Sequence, residues 1–411
     1  MKDLVPPQSA DWLAVETTLK NILASYGFEE IRFPIMEFTQ VFSRSIGDVT
    51  DIVQKEMYTF DDRNGDSITL RPEGTASCVR AVLEHNLLHQ RAQKLWYMGP
   101  MFRHERPQKG RYRQFHQLGV ECLGLAGPDI DAELIFLTAK IWRAFNLNSL
   151  RLELNSLGTS DERAQYRNVL SSYLEDFRGE LDDDSLIRLE KNPLRILDSK
   201  NPDLKNVIAG APSLLENLGE ESKDHFHKLQ ALLDSAGIAY VINPRLVRGL
   251  DYYSKTVFEW ITDELGAQGT VCAGGRYDGL VEMLGGKATP AIGFAMGLER
   301  FIELVASGAD SDQSNADIYL LGADERFSGV ALNLADTLRD GLPGKRIQVH
   351  CGGGSMKSQF KKADRSGAKV ALILGGQEIE SGEVTIKPLR SDEKQISVKQ
   401  SECVGALSAL T

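Results

Sequence analysis

One stretch, GPMFRHERPQKGRYRQFHQLGVECLG at residues 99–124, limits what this chain can fold into more than any other. LWYMGPMFRHE and QFHQLGVECLG both have strand character, and the polar, glycine-containing segment RPQKGRY lies between them. This pattern predicts a long hairpin with a basic tip. Successive side chains on a strand leave from opposite faces, so Gln117, Gly119 and Glu121 share one side, with Phe115 in the same register. Such a face is suited to line a pocket. Arg103 stands on the neighbouring strand, where its fixed fork of donors matches carboxylate and phosphate oxygens. Arginines on a solvated hairpin surface are the plainer reading of the same residues.

The flanking sequence supplies the rest of a sheet-rich first third. Over residues 9–26 apolar side chains recur at helical spacing (Trp12, Val15, Leu19, Ile22, Leu23), between a Pro-Pro start and Gly27. FEEIRFPIMEF at residues 28–38 reads as a short strand interrupted by Pro34, fit for an edge or interface because proline cannot donate to a ladder. DDRNGDSITLRPEG reads as strand, turn at Asn64-Gly65 and second strand, and RPEGT places Glu73 and Thr75 on one face of an extended segment. Over residues 161–236 the character changes to charged, helix-favouring segments broken by Pro193, Pro202 and Pro212. His225 and His227, in the run DHFH, fall there and are read as solvent-facing. Strand character resumes in IAYVINPRLVRGLDYY and TVFEWIT, and GFAMGLERFIELVAS has helical periodicity. SGADSDQSNA at residues 307–316 has the composition of a linker, after which strand and helix alternate as in a small α/β domain.

Composition excludes several classes. A length of 411 residues implies two or three domains, and 42% hydrophobic with 26% charged residues is ordinary for a globular chain. The start, MKDLVPPQSADW, has no basic segment followed by an apolar stretch, and no run reaches about 18 apolar residues, so a cytosolic protein without membrane attachment is expected. The five cysteines lie far apart without zinc-ligand spacing, which predicts reduced thiols and no protein-held metal. A formal charge of −11 argues against indiscriminate binding to phosphate backbones. Any nucleic-acid contact must use local patches, such as RHERPQKGRYR at residues 103–113 or KSQFKKADR at residues 357–365. Each run alone reads equally well as a solvated charged face.

Two histidines, His85 and His89 in HNLLH, have helical i, i+4 spacing but lack the glutamate of HExxH, and they read as a surface or core pair. Neither GGRYDG, from Gly274, nor CGGG, from Cys351, has the lysine-hydroxyl pattern of a P-loop or the spacing of a dinucleotide site. The run LVRGLDYYSKTVFEW at residues 246–260 is more informative. Arg248 beside Gly249 permits close backbone approach to a ligand, and Tyr252 and Tyr253 combine apolar rings with hydroxyl handles.

Taken together these runs resemble a class II aminoacyl-tRNA synthetase. Its second signature motif is a hairpin of the form FRxE, loop, RxxxFxQ, matched at residues 102–117; its first matches the strand around Pro34, and its third matches AIGFAMGLERF, which contains Arg300. LVRGLDYYSKTVFEW and AGGRYDGL, from Ala273, are similar to runs peculiar to histidyl-tRNA synthetases. The resemblance implies an α+β fold: an antiparallel sheet core with flanking helices, a helical insertion and a carboxy-terminal α/β anticodon-binding domain. It assigns residues 1–160 to the first part of the core, 161–236 to the insertion, 237–306 to the second part, 307–316 to a linker and 317–411 to the anticodon-binding domain.

The implied reaction joins L-histidine to tRNA(His) at the expense of ATP, through histidyl-adenylate and pyrophosphate. By resemblance, Arg103 touches the α-phosphate and the histidine carboxylate, and Arg248 approaches the same phosphate from the other side. Phe115 and Arg300 sandwich the adenine, and Glu105 completes the ATP set. Glu73, Thr75 and Gln117 hold the substrate ammonium, with Gly74 between the first two; Glu121 and Tyr253 bond the two imidazole nitrogens, and Tyr252 lines the same pocket. Leaving these polar groups unpaired disfavours other amino acids strongly, so no editing domain is required. Mg2+ is expected on the ATP phosphates, and CGGG with SMKSQFKK is expected to contact RNA, a helix cap being the duller option. A homodimer is also implied. One departure concerns the amino terminus, where MKDLVPP leaves little room for the family's RGxxD-like strand, which contributes to the dimer interface.

Two rivals remain at this stage. One is the catalytically silent paralogue that regulates ATP phosphoribosyltransferase, a group without the anticodon domain and with an eroded LVRGLDYY arginine. The other is a class II synthetase for proline, threonine or glycine, against which Glu121 and the tyrosine pair speak.

Overall fold

The computed structural model describes residues 3–408 apart from 47–51, 90, 107–109, 198, 200, 249, 251, 267–268, 307–313, 323 and 325. The centre of the basic hairpin tip, Gly249 and Asp251 of the LVRGLDYY run, and most of the expected linker therefore lie outside the described residues. The chain divides into two compact units, Met1–Ala309 and Asp310–Thr411.

The first unit opens with α1 (Gln8–Ser25), β1 (Glu29–Glu30), β2 (Met36–Phe38), α2 (Thr39–Ile46), β3 (Tyr58–Asp61), β4 (Ser67–Leu70) and α3 (Thr75–Glu84). The long hairpin follows as β5 (Gln93–Phe102) and β6 (Gln114–Leu123), then α4 (Pro128–Ala144) and β7 (Arg151–Ser156). Four helices come next: α5 (Ser160–Asp176), α6 (Asp183–Lys191), α7 (Lys205–Gly210) and α8 (Glu220–Ser235). The unit closes with β8 (Tyr240–Ile242), β9 (Ser254–Ile261), β10 (Thr270–Arg276), α9 (Leu280–Met283), β11 (Ala291–Gly297) and α10 (Leu298–Ala306).

Among the described residues the hairpin lies within an eight-stranded sheet of order β1-β5-β6-β11-β10-β9-β7-β8. The six strands from β5 to β7 in that order run antiparallel, and the short β1 and β8 pair in parallel at the two edges. Pro34 explains why the FEEIRFPIMEF run is not one strand. Glu29–Glu30 joins the large sheet beside Leu95 and Trp96, whereas Met36–Phe38 pairs with β4 in a separate three-stranded sheet. The turn at Asn64-Gly65 connects β3 to β4 as its sequence predicts.

The strand period of two divides the large sheet into two faces. Trp96, Leu118, Val120, Cys122, Phe258 and Trp260 enter one core, which also takes the buried stripe of α1 and residues of α4, α8 and α10. Leu95, Tyr97, Leu123 and Val257, one position away on the same strands, enter the other core with residues of α3, α5, α6 and α7. Each large aliphatic or aromatic side chain buried this way contributes roughly 1.5–3 kcal/mol. The order β5-β6-β11 thus fixes which side chains of the hairpin face the second core.

Helix boundaries follow their caps. Thr159 and Glu162, the TSDE start of α5, form a reciprocal capping box, and Glu162 also accepts from Gly219 and Ser222 at the start of α8. Glu73 does not lie in an extended segment. Its carboxylate accepts from the N–H groups of Thr75 (2.6 Å) and Ala76 (3.0 Å), the first two residues of α3, so RPEGT leads into that helix with Gly74 at its N-cap. That helix stops at Glu84, so His85 and His89 do not share a helix face.

His225 corrects the solvent-facing expectation. It is buried on α8, with Nε2 2.8 Å from Asp131 Oδ2. Asp131, in the first turn of α4, also accepts from Thr256 Oγ1 (2.7 Å) and from Arg276 Nε (2.8 Å). Arg276 completes its donors on Asp278 and the carbonyls of Leu125 and Gly127. Both charged partners are fully buried.

The second unit contains β12 (Ile318–Leu321), α11 (Phe327–Gly341), β13 (Ile347–Val349), α12 (Met356–Arg365), β14 (Val370–Ile373), α13 (Gly376–Ser381), β15 (Glu383–Pro388), β16 (Ile396–Lys399) and α14 (Cys403–Ser408). Among the described residues they form a mixed sheet of order β13-β12-β14-β15-β16. Ser355, after the CGGG turn, caps α12 by accepting from Ser358, which accounts for that run's local sequence.

Removing one partner of a buried pair leaves the other charge uncompensated. Asp131→Ala is therefore expected to lose about 3–5 kcal/mol of unfolding free energy in urea titration of the full chain. A loss under about 1 kcal/mol would show that Arg276 finds other compensation.

Candidate active site

A buried carboxylate lies on the inner face of the hairpin. Glu121 on β6 is 1% exposed; its Oε1 accepts from Thr75 Oγ1 (2.8 Å) and Tyr97 OH (3.0 Å), and its Oε2 accepts from Tyr277 OH. Burial pushes its pKa up to about 8, even though the three hydroxyl donors favour the charged form. Tyr97 reaches Glu121 because it stands opposite Gly119 across the β5-β6 ladder. A Cβ on Gly119 would lie 2.1 Å from the Tyr97 ring, as would one on Gly74 from the other side. Both glycines keep the slot for that ring open.

Tyr252 and Tyr253 follow Arg248 and are buried beside Tyr277, with ring centroids 5.7 and 6.4 Å from it. Glu73, held at the α3 terminus, has its pKa raised by burial, with the two backbone bonds and the Arg103 charge opposing that shift. Gln117, two residues before Gly119, has a buried Oε1 with no hydrogen-bond partner. The structure therefore unites Thr75, Glu121, Tyr97 and Tyr277 in one bonded cluster, with Tyr252 and Tyr253 packed against its edge.

A second constellation gathers at the open end of the hairpin. Arg103 donates through Nε to Pro72 O (2.8 Å), and its guanidinium carbon lies 5.3 Å from the Phe115 ring centroid. Arg300 donates to Gly110 O (3.0 Å) and Thr270 O (2.9 Å). Arg103, Glu105, Gly110, Arg111, Phe115 and Arg300 line a cleft of about 70 Å³, in which Glu105 Oε2 lies 3.2 Å from Arg111 Nε. A polar cleft between an aromatic ring and a guanidinium suits a flat, anionic nucleotide.

Arg248 lines a different cavity, of about 380 Å³, with Arg163, Arg167, Lys191 and Arg195 of the helical segment. Its Nη1 donates to Glu259 Oε1, and its guanidinium carbon lies 5.3 Å from the Tyr253 ring centroid. No group of three or more His, Cys, Asp or Glu side chains able to hold a metal occurs among the described residues.

The family model for histidyl-tRNA synthetase matches residues 1–301, and that for an anticodon-binding domain matches residues 316–410. The crystal structure of apo S. aureus histidyl-tRNA synthetase is 35% identical, with a TM-score of 0.82, over 99% of this chain and 97% of that one. The chain belongs to the histidyl-tRNA synthetase family. It is thus an aminoacyl-tRNA ligase of the class II fold, which joins histidine to tRNA(His). The Nostoc sp. histidyl-tRNA synthetase (20% identity, TM-score 0.72, covering 100% of this chain and 98% of that one) shares the fold. So does a Bacillus halodurans protein titled ATP phosphoribosyltransferase regulatory subunit/histidyl-tRNA synthetase (21% identity, TM-score 0.64, covering 92% and 97%).

Within this histidyl-tRNA synthetase fold, sequence reasoning had not singled out Tyr97, Tyr277, Glu259 or Thr270. A signal for Tyr97 was available in the large-small pairing with Gly119 once the hairpin register is fixed. Glu259 was visible as a lone charge within the apolar strand VFEWI.

Glu121 makes stability pH-dependent. The folded chain keeps the proton that the unfolded carboxyl releases near its ordinary value, so between about 4.5 and about 8 the folded state binds more protons. Wild-type stability from this group falls as pH rises through that window. Glu121→Gln is expected to gain thermal stability over wild type between pH 5 and pH 9, by at least about 2 °C in Tm. An unchanged difference across that range would refute the raised pKa.

Proposed function

We propose that histidine activation in this ligase runs on two arginines, Arg103 and Arg248, with Glu121 and Tyr253 reading the imidazole. The observation carrying this reading is the buried Glu121 carboxyl fixed by three hydroxyls, because a polar, dry pocket rejects side chains that leave its groups unpaired. Glu73, Thr75 and Gln117 take the substrate ammonium; the partnerless Oε1 of Gln117 suits a cationic donor. Gly74 leaves room for the Tyr97 ring beside that end, and Tyr252 closes the pocket with Tyr277.

ATP occupies the cleft of Arg103, Glu105, Phe115 and Arg300, with adenine between Phe115 and Arg300. The histidine carboxylate attacks the α-phosphorus in line; the new O–P bond forms as the bond to the bridging oxygen breaks, and that oxygen leaves with pyrophosphate. Arg103 and Arg248 stabilise the charge on the α-phosphate oxygens. Mg2+ would be carried by the ATP phosphates, where it would supply positive charge opposite the leaving pyrophosphate. The 3′-terminal hydroxyl of tRNA(His) then attacks the carbonyl of the adenylate, and AMP leaves. Four cations beside Arg248, namely Arg163, Arg167, Lys191 and Arg195, support approach of the RNA end from that side. Phe360 and Lys387 of the second unit, 4.9 Å apart as ring centroid and ammonium, suit contact with RNA bases and phosphates.

The protein works as a cytoplasmic homodimer in this reading. No described helix is long and apolar enough to cross a membrane. Ile35, Met36, Phe38 and Phe60 leave apolar side chains exposed around the three-stranded sheet, which supports a partner subunit there.

Histidine-dependent exchange of labelled pyrophosphate into ATP tests the reaction, with histidine alone among the amino acids expected to support it. Histidine binding without exchange would point instead to a regulatory protein. Arg248→Ala is expected to lower single-turnover adenylation by at least about 100-fold while retaining the wild-type circular dichroism spectrum. Near-normal activation by that variant would remove Arg248 from the mechanism.

A further inference from the structure

Arg248 is the least self-evident member of the site, since it follows a loop rather than standing on a strand. Its side chain is 17% exposed, and among its described contacts the carboxylate it meets is Glu259, itself 16% exposed. Glu259 stands on β9, where Val257 and Glu259 share the strand face opposite Phe258 and Trp260. Its two oxygens divide the work: Oε1 accepts from Arg248 Nη1, and Oε2 accepts from Thr270 Oγ1 at 3.1 Å. The Thr270 carbonyl in turn accepts from Arg300 Nη1 at 2.9 Å, and Arg300 Nε reaches Gly110 O on the hairpin. One continuous chain of bonds therefore links Arg248 to Arg300, two arginines that sit in separate cavities.

We propose that Glu259 is the positioning residue of the adenylation step: it fixes the guanidinium of Arg248 at the α-phosphate, with Thr270 fixing Glu259. The inference rests on the role proposed above for Arg248. A carboxylate bound at one edge of a guanidinium restricts its rotation, yet leaves the remaining donors for a phosphate oxygen. The Nε of Arg248 is buried without a hydrogen-bond partner, so the side chain is not saturated by the protein. Burial is the largest single influence on Arg248 and opposes its charge; the Glu259 carboxylate, the largest of the groups that favour the charge, outweighs burial together with Tyr253 and Tyr252.

The test compares wild type, Glu259→Gln, Glu259→Asp, Thr270→Val and the pair Glu259→Gln with Arg248→Ala. Glu259→Gln is expected to lower the single-turnover adenylation rate about 10- to 100-fold, while histidine Kd and Tm stay near wild type. Glu259→Asp, which keeps the charge, recovers part of the rate, and Thr270→Val shows a smaller loss of the same kind. In the Arg248→Ala background, Glu259→Gln changes the rate by less than about 2-fold, because its effect passes through Arg248. Full additivity overturns the proposal, and so does recovery of Glu259→Gln by raised Mg2+, which would make Glu259 a metal ligand.

Phenylglyoxal modification of Arg248, mapped by mass spectrometry without substrates, supplies a readout independent of catalysis. It is expected to rise several-fold in Glu259→Gln, and equal labelling in wild type and variant overturns the proposal whatever the rates. Loss of exchange in wild type would sink the proposed reaction instead, and the labelling experiment keeps the two failures apart.

Discussion

The buried pair of Asp131 and Arg276 holds the first unit together at the point where its parts converge. Burying two charges is expensive, and the cost is offset only when every donor and acceptor is used. Here most of them are: Asp131 serves α4, binds Thr256 of β9 and His225 of α8, and Arg276 closes on Asp278 and two carbonyls before α4. Asp278 also accepts from the Ala291 N–H, so the turn between β10 and β11 is fixed by the same network. Tyr277 lies between Arg276 and Asp278, and its hydroxyl therefore reaches Glu121 from a backbone fixed on both sides. The setting of the Glu121 carboxyl thus depends on a charge pair on the opposite face of the sheet.

That dependence marks the limit of what could be read in the sequence. The hairpin, the Asn64-Gly65 turn and the helical run at residues 161–236 announce themselves through local periodicity and turn chemistry, and the structure carries all three. Local rules misjudged the residues that answer to distant partners. His225 sits in a charged run that reads as solvated, yet Asp131, 94 residues away, draws it inward. Glu73 looks like part of an extended segment until Thr75 and Ala76 are seen to open a helix whose N–H groups need an acceptor. Pro34 was legible as a break, but not the outcome that the two sides of the break join different sheets. Tyr97 has no short-range signature, and only cross-strand register identifies its partner; Glu259 stands out as a lone charge in an apolar strand, but its partners Arg248 and Thr270 lie outside that strand.

The pocket chemistry follows from the same register. Tyr97 approaches Glu121 from the neighbouring strand β5, Tyr277 from just past the end of β10, and Thr75 from a helix end, so three independent elements converge on one carboxyl. A group with a pKa near 8 carries a proton through much of the neutral range. A neutral carboxyl can donate to an imidazole nitrogen as well as accept from one, which suits a ligand whose ring has both functions. The hydroxyl cluster keeps that carboxyl oriented in either state.

The guanidiniums of the proposed adenylation site are already held by the protein. Arg103 is fixed by Pro72 O, Arg300 by Gly110 O and Thr270 O, and Arg248 by Glu259; each guanidinium has committed at least one donor to the protein. In water the same cations would have to shed solvent and reorient as charge develops, which consumes much of their stabilising effect. In the proposed reaction Arg103 and Arg248, held in place, meet the transition state without that reorganisation. In a chain with a net charge of −11, carbonyl oxygens orient Arg103 and Arg300 in one cleft and a single carboxylate orients Arg248 in a separate cavity.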